Sequence, residues 1–426
     1  MILHRVRPGE TVDSISQLYG VPASRIITQN GLSEPFALAV GQTLVILFAA
    51  DTYTVEQGDT LYSIAENLGV PVNTLLADNP QLGGVPTIYP GQTLNVGFTA
   101  EKLRTLRVNG YAYPFIDREV LRRTLPYLTY LTIFTYGFTP DGSLIVPDDR
   151  ELIDLALSYS TAPVMLISTL GEDGKFSNQL ARDLLESEAV QETLIGNILM
   201  NMREKGYTGL DVDFEYVPTD LREAYTAFIT KVSGRLNAES YQSVISLAPK
   251  TSADQPGLLY EAHDYAALGN AADSALLMTY EWGFTYGPPM AVAPLDKVEK
   301  VVDFAVSQIP TEKLFMGMPN YGYDWTLPFV SGESKAESLS NTAAVARAVE
   351  AGAEIEFDET AQSPFFRYTR DGSVHEVWFE DAFSVQAKLG LITEKGLRGV
   401  SVWNIMRYFP QMWAVMNALY NIEKII

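Results

Sequence analysis

The sequence contains no cysteine and only three histidines, His4, His263 and His375. The first absence excludes disulfides, thiol nucleophiles and Cys-based zinc sites. The histidines show no H-x-x-x-H spacing, which argues against a His-based metal site or a Ser-His-Asp triad. Positive charge is scarce: 30 Lys and Arg stand against 52 Asp and Glu, a formal net charge of −22. Such a field repels nucleic acid and anionic membranes and suits a neutral or cationic substrate. No stretch reaches the ~18 uninterrupted apolar residues of a membrane span. The opening residues Met1–Arg7 contain neither a long apolar segment nor a small-residue cleavage site, so no signal peptide is expected. No G-x-G-x-x-G follows an early strand, so dinucleotide binding finds no support. No cofactor and no metal are expected, and the chain is expected to act as a monomer.

What is present is a large apolar fraction, 47% of 426 residues, enough for two or three domains. The first hundred residues contain an internal repeat. Val6/Val55, Gly9/Gly58, Thr11/Thr60, Ser14/Ser63, Ile15/Ile64, Gly20/Gly69, Pro22/Pro71 and Asn30/Asn79 keep one separation, and Gly41-Gln-Thr-Leu and Gly91-Gln-Thr-Leu close each copy. Each copy parses as a strand, a Gly turn, a helix capped by Thr11 or Thr60, a second helix after Gly-Val-Pro, and a closing strand. Ile15 with Leu18, and Ile64 with Leu68, are expected on the buried helix face. This βααβ repeat resembles the LysM module, whose members bind N-acetylglucosamine-containing glycans such as peptidoglycan and chitin. The resemblance implies module boundaries at 1–48 and 51–97. It implies glycan contacts in the loops after the first strand and the second helix: Gly9, Glu10, Thr11 and Asn30, and Gly58, Asp59, Thr60, Asn79 and Pro80. Two weak sites on one polymer would add through effective concentration.

From about Gly97 apolar strands alternate with helices. Strands are expected at Leu106–Tyr111, Leu131–Tyr136, Pro163–Ser168, Gly209–Glu215, Ser243–Ala248, Ser274–Tyr280, Leu314–Met318 and Gly399–Trp403. One long helix is expected over Asn178–Lys205. Eight such units argue for an α/β fold, a (β/α)8 TIM barrel over 98–426, with an open doubly wound sheet as the alternative. An α+β insertion over about 326–380 is expected before the last strand, with a hairpin turning at Arg370-Asp-Gly.

Within strand four, Asp211, Asp213 and Glu215 share one face, because side chains alternate along a strand. Leu210, Val212, Phe214 and Tyr216 fall on the other. A solvated strand, a cation site and a catalytic group all fit such a file. A calcium loop needs a turn glycine and spaced oxygen ligands, whereas Val212 and Phe214 intervene here. Barrel sites form at the C-terminal strand ends, which gathers Tyr111, Tyr136, Tyr280, Glu281, Trp282, Asn320, Tyr321 and Trp403 around the carboxylates. Aromatic faces with polar edges suit a carbohydrate.

Gly209-Leu-Asp-Val-Asp-Phe-Glu resembles the glycoside hydrolase family 18 signature Asp-Gly-x-Asp-x-Asp-x-Glu. Met278-Thr-Tyr280-Glu281 resembles that family's Met-x-Tyr-Asp, and Trp403 falls at its strand-eight tryptophan. The likeness covers essentially residues 103–426. It implies that Glu215 protonates the glycosidic oxygen and that Asp213 orients the substrate acetamido group. It also implies that Asp211 supports Asp213 and that Tyr280 binds the acetamido carbonyl. The outcome would be a retaining, substrate-assisted reaction. Two departures stand out: Thr208 replaces the first Asp, and Glu281 is one methylene longer than Asp. The combination resembles the spore-cortex-fragment N-acetylglucosaminidases of endospore formers, which implies peptidoglycan as partner and a coat or cortex location. A chitinase and a non-catalytic glycan-binding coat protein are the rivals.

Overall fold

The computed structural model describes residues 1–171 and 173–426. Eight parallel strands close into a barrel: Arg104–Ala112, Tyr130–Phe138, Ala162–Ser168, Gly209–Asp213, Gln242–Leu247, Ser274–Leu277, Leu314–Pro319 and Gly399–Trp403. The first strand pairs with both the second and the eighth, which removes the sheet edge and excludes the open doubly wound alternative. Helices between strands cover the outside, and Leu, Ile, Val and Met from both layers form the main core.

Several boundaries differ from expectation, each for a local reason. Strand four ends at Asp213 rather than Glu215, since its pairing with the third strand stops at Asp213 with Ser168 and that with the fifth at Val212 with Ile245. The expected helix over Asn178–Lys205 is two helices, Asn178–Leu185 and Glu188–Lys205, because Ser187 caps the second through the Val190 N–H. The insertion begins earlier than 326. Its five-stranded antiparallel sheet includes Gly322–Leu327, and its hairpin turns at Asp371 and Gly372, both with positive φ.

Each N-terminal module pairs its outer strands antiparallel, Ile2–Arg5 with Thr43–Ile46 and Ala49–Thr54 with Thr93–Phe98. Thr11 and Thr60 cap their helices, and Ser14 and Ser63 answer as reciprocal capping boxes. Leu18 and Leu68 do not join the buried face: they are 62% and 38% exposed, and Val12 and Leu61 fill that role beside Ile15 and Ile64. The short helices carry one turn fewer of core than the pattern suggested.

The modules are not loosely tethered. Val45, Leu47, Ala77 and Phe98 belong to the barrel's own core cluster, and Ala39 packs in the insertion's cluster. Buried polar bonds cross the seam: Gln411 donates to the Asn30 side chain and the Thr43 carbonyl, and Asn417 donates to Asp78 at 2.8 Å. Tyr127 donates to the Ala77 carbonyl and Tyr159 to the Gly84 carbonyl. Arg25 reaches Asn95 and ties one module to the other.

Gly84 marks how close the approach is. A Cβ there would stand 2.1 Å from the Arg122 carbonyl oxygen, whereas neighbouring Gly83, at a similar positive φ, has open space. Gly84→Ala is therefore expected to destabilise the full chain by about 1–3 kcal/mol, the usual cost of overpacking. Gly83→Ala should lower the thermal midpoint less. Equal midpoints for the two variants, by calorimetry, would remove the close-docking account.

Candidate active site

The file of acids sits at the open C-terminal end of strand four. Asp211 is 1% exposed and accepts hydrogen bonds from Tyr111 Oη at 2.6 Å and Ser246 Oγ at 3.2 Å. Burial pushes its carboxyl up to about 6 despite those donors. Asp213 is half-buried, and its Oδ1 lies out of solvent without a partner among the described residues. Burial raises its affinity for a proton most, followed by the charges of Glu215 and Asp211. Glu215 is raised too, by burial.

The chain bends after Asp213 in a way that aims Glu215. Phe214 is buried and stacks on Tyr225 and Phe228, with ring centroids 5.9 and 6.0 Å away. Its carbonyl accepts from His263 Nε2 at 3.2 Å, while His263 Nδ1 accepts from the Ala248 N–H. Burial lowers the His263 pKa to about 4, so it is neutral near pH 7 and carries its proton on Nε2. Phe214 and His263 thus fix the peptide that precedes Glu215. Tyr216 does not continue the buried face: it turns out with φ of 54° and is 45% exposed.

Around the acids lies a cleft of about 320 Å³. Trp403 is its aromatic centre, within 5.1 Å of Phe134, 5.7 Å of Tyr111 and 6.5 Å of Tyr280 by ring centroids. Tyr280 lies nearly parallel to Trp403, at 17°. Asp213, Glu215, Ser246, Tyr280, Glu281 and Trp403 all line the cleft, and Phe176 and Tyr260 stand on its wall.

Other candidates fall elsewhere. Tyr136 is fully buried outside the barrel and bonds to Asp149, Tyr207 and Lys205, because the register of strand two shifts between Ile133 and Tyr136. Phe134 lines the cleft instead. Trp282 points away from Glu281 and packs on the outer core. Asn320 is 2% exposed and donates to the carbonyls of Asn404 and Arg407, which braces a loop. Tyr321 does not line the cleft; with Tyr323 it donates to the Glu281 carboxylate. Glu281 holds φ of 67°, and this tyrosine pair fixes its longer side chain.

Thr208 sits at the opposite end of the barrel, where it lines a cavity of about 330 Å³, and its hydroxyl donates to the Pro163 carbonyl. The replacement of the signature's first Asp by Thr therefore lies a full strand length from Glu215.

In the modules, Asn30 and Asn79 are buried pins rather than loop contacts. Asn30 bridges Ile26 and Val45, and Asn79 bridges Leu75 and Asn95. Pro80 lines a crevice with Tyr127 and Asn417 of the barrel. The loops after the first strands do stay at the surface, with Gly9, Thr11, Gly58 and Thr60 exposed. Glu10 and Asp59 brace these loops from within, accepting from His4 and the Arg7 N–H, and from Tyr53 and the Glu56 N–H.

Sequence reasoning missed Tyr113, Phe134, Phe176, Tyr260 and His263. Tyr113 carried a signal, being two residues beyond Tyr111. The others stand on loops or beyond a register shift, where spacing says nothing about side-chain direction.

The model of glycosyl hydrolases family 18 matches residues 109–407, and that of the LysM domain matches 4–47 and 53–97. The chain is 39% identical to a cortical fragment-lytic enzyme of Bacillus subtilis (strain 168), with 100% of this chain and 99% of that one covered. It is 31% identical to a sporulation-specific glycosylase, YdhD, named as putative in the same organism, over 100% of both. The crystal structure of the Bacillus megaterium QM B1551 spore cortex-lytic enzyme SleL superposes with a TM-score of 0.85 at 36% identity, covering 100% and 99% of the two chains. With the acid file, its cleft and these matches in place, the chain belongs to the glycosyl hydrolases of family 18 and carries two LysM domains ahead of its barrel.

Proposed function

We propose that the chain hydrolyses spore-cortex peptidoglycan fragments at β-1,4 bonds that follow N-acetylglucosamine, with retention of configuration. The observation that carries this reading is the unpartnered, solvent-shielded Oδ1 of Asp213 beside a raised Glu215. A buried carboxylate oxygen without a donor is costly, and a substrate amide N–H would supply one.

Glu215, whose affinity for a proton is raised by burial, donates that proton to the departing glycosidic oxygen. The substrate's own acetamido oxygen closes on the anomeric carbon, and Asp213 holds the acetamido N–H and balances the charge of the ring that forms. Glu215, now a base, then takes a proton from the water that reopens it, which returns the configuration. Tyr280 stands where the acetamido carbonyl would accept its hydroxyl, and Trp403 offers a face to the sugar ring. Asp211 acts through Asp213, held in turn by Tyr111 and Ser246. The proposed substrate-binding residues are therefore Tyr111, Tyr113, Phe134, Glu281 and Trp403. The surface loops Gly9–Thr11 and Gly58–Thr60 are the proposed glycan contacts of the LysM domains. The names of the cortex-lytic relatives support a spore-cortex location, and a coat location and a part in germination belong to the same proposal.

Glu215→Gln should lower kcat/KM on cortex fragments by about 10²–10⁴, the usual worth of a general acid; wild-type rates in that variant would sink the assignment. Asp213→Asn should lower the rate and also move the alkaline limb of the pH profile downward. The sign follows from charge: Asp213 and Glu215 share one site in which ionisation of either opposes ionisation of the other, so with Asp213 replaced by a neutral amide the pair's last proton is lost at lower pH. An alkaline limb that stays put or rises would break the coupling. De-N-acetylated fragments should resist cleavage, and equal turnover of acetylated and deacetylated substrate would exclude the substrate-assisted step. Faster turnover of chitin oligomers than of cortex fragments would instead favour a chitinase.

A further inference from the structure

The segment after strand five, residues 248–264, is joined by side-chain bonds to the segment 214–222 that carries Glu215. Thr219 Oγ1 donates to Glu261 at 2.7 Å, Arg222 donates to Asp264 at 2.7 Å, and His263 Nε2 donates to the Phe214 carbonyl at 3.2 Å. The same segment places Pro249, Leu259 and Tyr260 on the cleft wall. Whatever fixes it bears on the acid and on the space beside the acid.

Lys250 holds both ends of this segment. It is 1% exposed, and its Nζ donates to the Ala253 and His263 carbonyls, each at 3.0 Å. Its own N–H donates to Tyr265 Oη, which donates in turn to the Ala248 carbonyl. The Ala248 N–H closes the circuit on His263 Nδ1 at 2.9 Å. Among the described residues Lys250 forms no ion pair, and Asp264 is taken by Arg222. Burial lowers its pKa, and so does the Arg222 charge, while Asp264, Asp254 and Glu261 favour the charged form. A buried ammonium whose acceptors are peptide carbonyls is a costly way to fill space that an apolar chain of its length would also fill.

What that cost secures is the state of His263. The Lys250 bond holds the His263 backbone, and the Lys250 charge adds to burial in keeping the ring neutral. A protonated ring would carry a hydrogen on Nδ1 that faces the Ala248 N–H. The neutral ring keeps a single donor, and it is aimed at the Phe214 carbonyl.

We propose that Lys250 is a positioning residue for the general acid: through His263 and the Phe214 carbonyl it sets where the Glu215 carboxyl stands relative to the departing glycosidic oxygen. The inference rests on the reading of Glu215 as that acid. Lys250 does not line the cleft, so it acts only through the residues it holds.

The test compares two substrates of the full chain that share one glycone and differ in their need for a proton. One is a cortex fragment. The other is the same fragment with 4-nitrophenol in place of the sugar that follows N-acetylglucosamine. Nitrophenolate departs as a stable anion, so its release depends little on an aimed acid. Lys250→Met should lower kcat on the cortex fragment by about tenfold or more, the scale on which a displaced catalytic group loses rate. On the nitrophenyl substrate it should lose less than about threefold, with KM kept for both. Lys250→Gln, which retains an amide donor, should lose less than Lys250→Met, and His263→Leu should show the same selective loss. The ratio of the two rates is independent of how much of a variant is folded. Equal losses on both substrates in the Lys250 variants overturn the positioning role, and so does a raised KM at unchanged kcat. Glu215→Gln separates the two levels of the argument. If it is selective for the cortex fragment and Lys250→Met is not, the acid stands and the role of Lys250 falls. If Glu215→Gln spares both substrates or slows them equally, the acid assignment falls and the inference with it.

Discussion

Everything at the centre of this protein depends on placing two carboxylates on one face of one buried strand and a third just past its end. Like charges so arranged cannot all ionise in a poorly hydrated site. The surroundings divide the burden unequally. Asp211 receives two donors and still sits near pKa 6, Asp213 receives none at Oδ1, and Glu215 stands just past the end of the strand at the cleft. That gradient of support along the chain gives the three acids distinct environments. The innermost is held by two donors, the middle one has none at Oδ1 among the described residues, and burial raises the proton affinity of the outermost, at the cleft. Phe214 and His263 matter for the same reason, because the acid's aim is set by the peptide before it.

The joining of the modules to the barrel follows a related logic of shared burial. Each module alone is small for a stable core. Lending Val45, Leu47, Ala77 and Phe98 to the barrel's cluster adds buried area that neither unit has alone. The buried amides of Asn30 and Gln411 then fix the register of that contact. A rigid arrangement restricts which glycan geometries can touch module and cleft together, whereas a flexible linker would average over them.

Much of this was legible in the residues. The alternation of strands and helices, the capping residues Thr11 and Thr60, and the order Asp211, Asp213, Glu215 all follow from local periodicity, and all stand in the fold as ordered. The failures share one cause. Tyr136 was placed by counting along a strand, and a register shift after Ile133 reverses the count. Asn30 and Asn79 look the same in sequence whether an asparagine meets a sugar or bridges a helix to a strand. Trp282 adjoins cleft-lining Glu281 and Asn320 follows the end of strand seven, yet past a strand end adjacency no longer tells direction. His263 carried no motif, because its task depends on the carbonyl of Phe214, far away in sequence.

Glu281 joins these threads. Lengthening an acid by one methylene ordinarily adds a rotatable bond and loosens its aim. Here two tyrosine hydroxyls, from Tyr321 and Tyr323, both bond the carboxylate, and burial raises its pKa against their pull. Tyr323 belongs to the first strand of the insertion, Gly322–Leu327, and pairs with Trp378 across the sheet. Among the described residues the insertion does not line the cleft, yet it reaches Glu281 through Tyr323. Of the two hydroxyls that hold Glu281 it supplies one, from Tyr323, and the same insertion packs against Ala39 of the first module. A change in how the insertion packs would reach the cleft through Tyr323 and the Glu281 carboxylate it holds.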